Sequence, residues 1–298
     1  MKITLAQIAP RLGRVEENVA RHRELIASAW AEGSDLLVFP ELSVTGYLLR
    51  DDTARVARTR DELLAALSGL PAGEQPMEVV VGFVELSAGR QCYNSAAYLR
   101  YLPGCEQPEL LHVHRKVHLP TYGMFDERRY LNPGQRLAAF DSPVLGRAGL
   151  LVCEDLWHPA AVFTLSVDGA GFEGMGVLLG IANSPARGVD DTSAFTTANL
   201  ETWRRLNRLY AEIFGVLVVH VQRVGVEDQY IFTGGSEIVT PSGDALAQAP
   251  LFEETLLTAE VDLELWLRAH RASAPRALGE SVHVVRRELE RICREVYV

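Results

Sequence analysis

The run "MEVVVGFVEL" is followed, after only five residues, by "CYNSAAYLR", and this pair constrains the fold more than any other part of the chain. Both runs are apolar with strand character, and five residues cannot hold the crossover helix that parallel strands require. They therefore predict a hairpin. Other strand candidates precede them ("KITLAQIAP", "DLLVFPE") and follow them ("LLHVHRKV", "RLAAF", "GLLVCED", "GVLLGIAN", "GVLVVHVQRV", "GSEIVTP", "TLLTAEVD"). Between several of these lie stretches of helical period, over Val15–Ala31, Thr53–Leu67, Pro159–Asp168, Ala194–Phe214 and Ser281–Val296. About eleven strands with interleaved helices predict an α/β fold of mixed sheets covered by helices. No Gly-, Ser- or Pro-rich linker divides the chain and no internal repeat is present, so one domain is expected.

Charge narrows the partners. With 29 basic against 39 acidic residues the formal charge is −10, which disfavours nonspecific binding to nucleic acid or an anionic membrane. The opening "MKITLAQIAP" is too short an apolar stretch for a signal peptide, and no window is long and uncharged enough for a membrane helix. The four cysteines (Cys92, Cys105, Cys153, Cys293) form no CxxC pair, so neither a disulfide framework nor a zinc site is expected. A cytoplasmic location with reduced thiols follows as the expectation.

Three residues at the C-terminal ends of strand candidates could carry chemistry, since open α/β sheets place their sites there. Glu41, in "LLVFPELSVTGY", follows a buried run and a proline; burial would raise its pKa and make it a usable base, although a capping role in a loop is the alternative. Lys116, in "LLHVHRKVHLPTYG", shares a strand face with His112, His114 and His118. That face is a pocket wall or a solvated surface. A metal site on the HxH pair is disfavoured because no acidic partner lies close by. Cys153 ends the apolar run "GLLV" and is followed by Glu154 and Asp155. A cysteine there is usually an inert small hydrophobe, and two acids beside it oppose a thiolate. Its place at the rim and a helix beginning near Pro159 argue the other way. Downstream of Lys116, His118–Arg136 carries two prolines and two glycines and predicts a long loop with one helical turn.

With Glu41, Lys116 and Cys153 in that order, 75 and 37 residues apart, the chain resembles the nitrilase (carbon–nitrogen hydrolase) superfamily. The words that carry the resemblance are "VFPELSVTGY", "HRKVHLPTYGMFDERRYLNPG" and "GLLVCEDLWHP". Within the superfamily, "KVHLPTYGMFDERRY", "CEDLW", "NSPARG" and "FTGGSEIVTPSG" are similar to the glutaminase domain of glutamine-dependent NAD synthetase. These residues include no SGG-type phosphate loop, so NAD synthesis by them alone is not expected. The basic residue that such domains place several positions after Ser-Pro is missing here, and Arg187 is the local substitute.

The resemblance implies an α-β-β-α sandwich over 1–298, with 263–298 as a helical tail, forming a homodimer or larger homo-oligomer. It implies a thiol amidohydrolase that cleaves a small non-peptide amide through a Cys153 thioester and releases ammonia, glutamine being favoured. Glu41 would be the base, Lys116 the oxyanion stabiliser and Glu127 a second carboxylate beside them. Tyr47, Tyr122, Phe125, Glu154 and Ser184 would contact substrate, with Glu154 binding an α-ammonium. No metal or organic cofactor is implied. An ω-amide or an N-carbamoyl amino acid remains an alternative substrate, and a subunit feeding ammonia to a separate synthetase an alternative role.

Overall fold

In the computed structural model, residues 1–71, 73–169, 174–188, 197–266, 268 and 275–296 are described. The expected helix start at 194–196 and residues 269–274 of the expected tail lie outside them.

Six strands form a first sheet: β1 (Lys2–Gln7), β2 (Leu36–Val38), β3 (Met77–Leu86), β4 (Cys92–Tyr101), β5 (Glu109–Arg115) and β14 (Thr255–Glu260), ordered β14-β1-β2-β3-β4-β5. β1, β2 and β3 run parallel. The predicted hairpin is β3–β4, antiparallel over its whole length and closing at Leu86 opposite Cys92. A second sheet is built from β6 (Phe140–Ser142), β7 (Gly146–Val152), β8 (Val177–Ala182), β9 (Leu217–Gln222), β12 (Glu237–Val239) and β13 (Ala245–Gln248), ordered β13-β12-β9-β8-β7-β6. Its centre β7-β8-β9 is parallel and its edges are antiparallel. Between β9 and β12, β10 (Val224–Glu227) and β11 (Tyr230–Thr233) form a two-stranded antiparallel ribbon.

Strand alternation explains the layering. Ile3, Leu5, Leu36, Val38, Val80 and Tyr98 face the second sheet and join Leu150, Val152, Leu179 and Ile181 in one core. Their neighbours Ala6, Leu37, Val79, Val81 and Ala97 point the other way, onto Leu25, Ile26 and Trp30 of α1 (Val15–Ala31). On the far side, Trp203, Tyr210 and Phe214 of α6 (Ala198–Phe214) cover the second sheet. The result is the α-β-β-α sandwich. Because both faces of each central strand are buried, those strands read as continuous apolar runs rather than alternating ones.

One expected helix is broken. Over Thr53–Leu67 the chain forms α2 (Thr53–Val56) and α3 (Arg60–Ala66), with extended backbone between. There the Arg58 N–H donates to Val84 O and its carbonyl accepts from Leu86 N, so the main chain leaves the helix to pair with β3. Thr59 then restarts the helix through a capping box with Glu62. The turn expected within 118–136 is α4 (Glu127–Tyr130). In the tail, α7 (Pro275–Val296) packs on α5 (Pro159–Val167) of its own chain. Val282, Val285 and Leu289 line the groove between them, yet Leu289 stays 56% exposed. Among the described residues no helix is long and apolar enough to cross a membrane.

Candidate active site

Glu41, Lys116 and Cys153 each follow the C-terminal end of a strand, β2, β5 and β7 respectively, and all three are buried. Glu41 sits on a turn pressed flat against β3. A Cβ at Gly82 would lie 2.5 Å from both Pro40 O and Leu42 N, so only glycine permits that approach. The Lys116 main chain is fixed on both sides, donating to Asn94 O at 2.8 Å and accepting from Gly134 N at 2.7 Å. Gly134 is needed there because a Cβ would stand 2.1 Å from Arg115 O. Cys153 has φ +46°, in the left-handed region that a non-glycine residue rarely adopts. That conformation turns the chain sharply from β7 into the 3₁₀ turn Cys153–Trp157, and such strain concentrates at functional positions.

The side chains converge. Lys116 Nζ donates to Glu41 Oε1 at 2.9 Å and to Glu127 Oε1 at 2.7 Å. Glu41 Oε1 also accepts from Asn94 Nδ2 at 2.7 Å, and Glu41 Oε2 from the Asn183 main-chain N–H at 2.7 Å. Glu127 Oε1 takes a further bond from the Tyr47 hydroxyl at 2.6 Å, whereas its Oε2 has no partner among the described residues. Burial opposes the charge on Lys116, but Glu127 and Glu41 outweigh it and hold its pKa well above the ordinary lysine value. Burial pushes Glu127 up to about 7, helped by Glu41 and resisted by Lys116. Burial and then Glu41 raise the Cys153 thiol well above its usual range, with Lys116 pulling the other way. The resting sulfur is thus a thiol, with an acceptor carboxylate and an ammonium in its field.

The mouth of the site is aromatic and bipolar. Tyr122, 51% exposed, donates to Glu154 at 3.0–3.1 Å. Its ring meets Phe125 edge-on at 5.6 Å, and Phe125 meets Tyr47 at 6.4 Å. Arg187 lies over the Phe125 ring at 4.9 Å, and its buried Nε has no hydrogen-bond partner among the described residues. Ser184 Oγ accepts from Asn199 Nδ2 (2.6 Å) and Trp203 Nε1 (2.8 Å), which leaves its own proton to donate.

The structure thus brings together Glu41, Lys116, Glu127 and Tyr47, and at the mouth Tyr122, Phe125 and Glu154. Ser184 is placed beside them by the Asn183–Glu41 bond. The histidines diverge: His112 stacks on Phe140 at 4.4 Å, while His114 and His118 both bond Asp155. Among the described residues no cluster of three or more His, Cys, Asp or Glu could hold a metal ion. Asn94 and Asn183 escaped sequence reasoning. The only hint was a polar residue within the apolar run "CYNSAAYLR", and nothing marked the main-chain donor of Asn183.

Residues 2–271 match the carbon-nitrogen hydrolase family. The chain belongs to that family. This carbon-nitrogen hydrolase is 31% identical over 270 residues to the glutamine-dependent NAD(+) synthetase of Thermotoga maritima, covering 90% of the chain and 43% of the relative. The structure of the glutamine-dependent NAD+ synthetase from Acinetobacter baumannii superposes with a TM-score of 0.74 at 30% identity, covering 89% of this chain and 46% of that one. A carbon-nitrogen hydrolase from Helicobacter pylori shares the fold, with TM-score 0.70 at 22% identity over 91% of this chain and 92% of its own. The hydrolase described here spans less than half the length of the synthetases it matches.

Proposed function

We propose that the chain is a thiol amidohydrolase acting on the side-chain amide of an amino acid, with glutamine the favoured substrate. The observation that carries this reading is Lys116 held between Glu41 and Glu127, with Glu154 and Arg187 set against the adjoining aromatic rings of Tyr122 and Phe125. Opposite charges flanking these aromatic rings suit a zwitterion, its ammonium on Glu154 and its carboxylate on Arg187, whose buried Nε has no partner among the described residues.

In this mechanism Glu41 takes the Sγ proton of Cys153 as the sulfur attacks the amide carbon. Lys116 and the main-chain N–H after Cys153 receive the oxyanion, each such donor contributing roughly 3 kcal/mol. Glu41 returns the proton to the nitrogen, the C–N bond breaks, and ammonia leaves a thioester on Cys153. Glu41 then deprotonates water, which attacks the thioester; the acid departs and the thiol regains its proton.

The test is ammonia release by purified protein from L-glutamine, L-asparagine, ω-amides and N-carbamoyl amino acids, with Cys153→Ala as control. Glutamine turnover lost in the variant supports the reading. Turnover of another amide discards the substrate and keeps the mechanism, and equal activity in Cys153→Ala protein overturns both.

The matched synthetases favour a second reading, in which the site feeds ammonia to a synthetase partner. Adding an ammonia-dependent NAD synthetase would then stimulate glutamine turnover. The half-covered apolar stripe of α7 supports a homo-oligomer, which light scattering checks against the 32.9 kDa monomer. A cytoplasmic location fits such a reduced thiol enzyme.

A further inference from the structure

Asp155 raises a problem that the proposed reaction does not solve. It lies two residues after Cys153 and is fully buried, and an anion at that place in the sequence is expected to oppose a thiolate. Its carboxylate, however, points away into a dense set of donors. Oδ2 accepts from His114 Nε2 at 2.8 Å. Oδ1 accepts from the main-chain N–H groups of Val117 (3.1 Å) and His118 (2.9 Å) and from His118 Nδ1 (2.8 Å). The His118 ring is in turn stacked on His158 at 3.6 Å, beyond the 3₁₀ turn that carries the cysteine.

These partners bracket one residue. His114 precedes Lys116 by two positions, and Val117 and His118 follow it directly. One carboxylate therefore ties the segment on both sides of Lys116, through the His114 side chain before it and the Val117 and His118 main chain after it, to the turn that presents Cys153 from the second sheet. We propose that Asp155 is a positioning residue that locks the Lys116 segment to the Cys153 turn and so sets the ammonium against the sulfur. Its charge is absorbed by five donors, the Val152 main-chain N–H at 3.4 Å from Oδ2 being the fifth, so its cost to the thiolate is smaller than its place in the sequence implies. Glu154, its neighbour, has its own partner in Tyr122 and takes no part in the lock.

For its effect on turnover the proposal rests on the amidohydrolase reading, but the lock itself can be tested without any substrate. Full-length protein carrying Asp155→Asn is treated with iodoacetamide at fixed pH, and labelling of each cysteine is followed by peptide mass spectrometry. Misplacing Lys116 removes the cation that favours the Cys153 thiolate, so Cys153 should be alkylated about tenfold more slowly. Buried Cys92, remote from the lock at the start of β4, should stay protected. His118→Ala removes one donor at a half-buried position and should slow the same cysteine about threefold, a result that stands even where Asp155→Asn protein does not accumulate. Where an amide is turned over, kcat should fall and KM should hold. Cys153 labelled at the wild-type rate or faster in both variants overturns the proposal, and so does new labelling of Cys92, which would assign Asp155 to the fold alone. Failure of every amide substrate leaves the alkylation result intact, so the two failures are told apart.

Discussion

Lys116 Nζ lies 2.9 Å from Glu41 Oε1 and 2.7 Å from Glu127 Oε1, a single ammonium shared by two buried carboxylates. Removing one member of a buried ion cluster leaves the others uncompensated, at about 3–5 kcal/mol. Lys116→Met should therefore lower the urea-unfolding free energy by about that amount, and adding Glu127→Gln should recover part of it. A loss below about 1 kcal/mol in the single variant would show that the cluster does not carry this energy.

Tyr47 was expected at the substrate, yet its hydroxyl is committed to Glu127 Oε1. A bond to a charged acceptor contributes about 1.5 kcal/mol or more, roughly tenfold in rate. Tyr47→Phe should lower kcat about tenfold and leave KM within about twofold. A raised KM with unchanged kcat would return Tyr47 to the substrate.

Glu154 and Arg187 are assigned to the two charges of an amino-acid amide. Glu154→Gln and Arg187→Met should each lower kcat/KM for glutamine by about tenfold or more, through a charge-assisted bond of about 1.5–3 kcal/mol. Neither should change turnover of an uncharged amide such as propionamide. Equal losses on both substrates would remove the zwitterion from the reading.

Stability should depend on pH with a sign set by buried groups. Burial lowers His22 and His112 to about 4 and His220 to about 3. Between pH 4.5 and 6.5 the unfolded chain therefore binds up to three more protons on these residues, and stability rises with pH. Glu127, raised to about 7 by burial, acts oppositely because the folded chain holds that proton. Three less one leaves a net uptake of about two protons on unfolding near pH 5.5 from these four groups, a slope of about 2.7 kcal/mol per pH unit that the lowered pKa of His158 steepens. Urea titrations across this range measure it, and a flat profile would contradict the assignment.

The hairpin, the mixed α/β class and the three strand-end residues were legible because each rests on a local pattern: a short loop, an apolar run, or a polar or reactive residue at the end of one, whereas the two-sheet sandwich came from the family resemblance. Long-range partners were not. Asn183 meets Glu41 from 142 residues away through a main-chain N–H, which no side-chain pattern encodes. Asp155 stood in plain view beside Cys153, but whether its carboxylate faces the sulfur or the Lys116 segment depends on a turn at φ +46°. The break at Arg58 was hidden for a related reason: helical propensity is local, and the β3 edge that captures the main chain is not. β13, four residues long and mostly exposed, was too short for its apolar residues to mark a strand.

Glu41 and Lys116 come from the first sheet, whereas Cys153 and the Asn183 amide come from the second. Neither half holds the proposed nucleophile together with its proposed base. A nascent chain that has formed only β1–β5 of the first sheet carries the proposed base without Cys153, and a fragment from the C-terminal half carries Cys153 without that base. On the proposed mechanism amide cleavage requires the two halves to dock, so that activity is silent during synthesis and falls silent again once the sandwich opens.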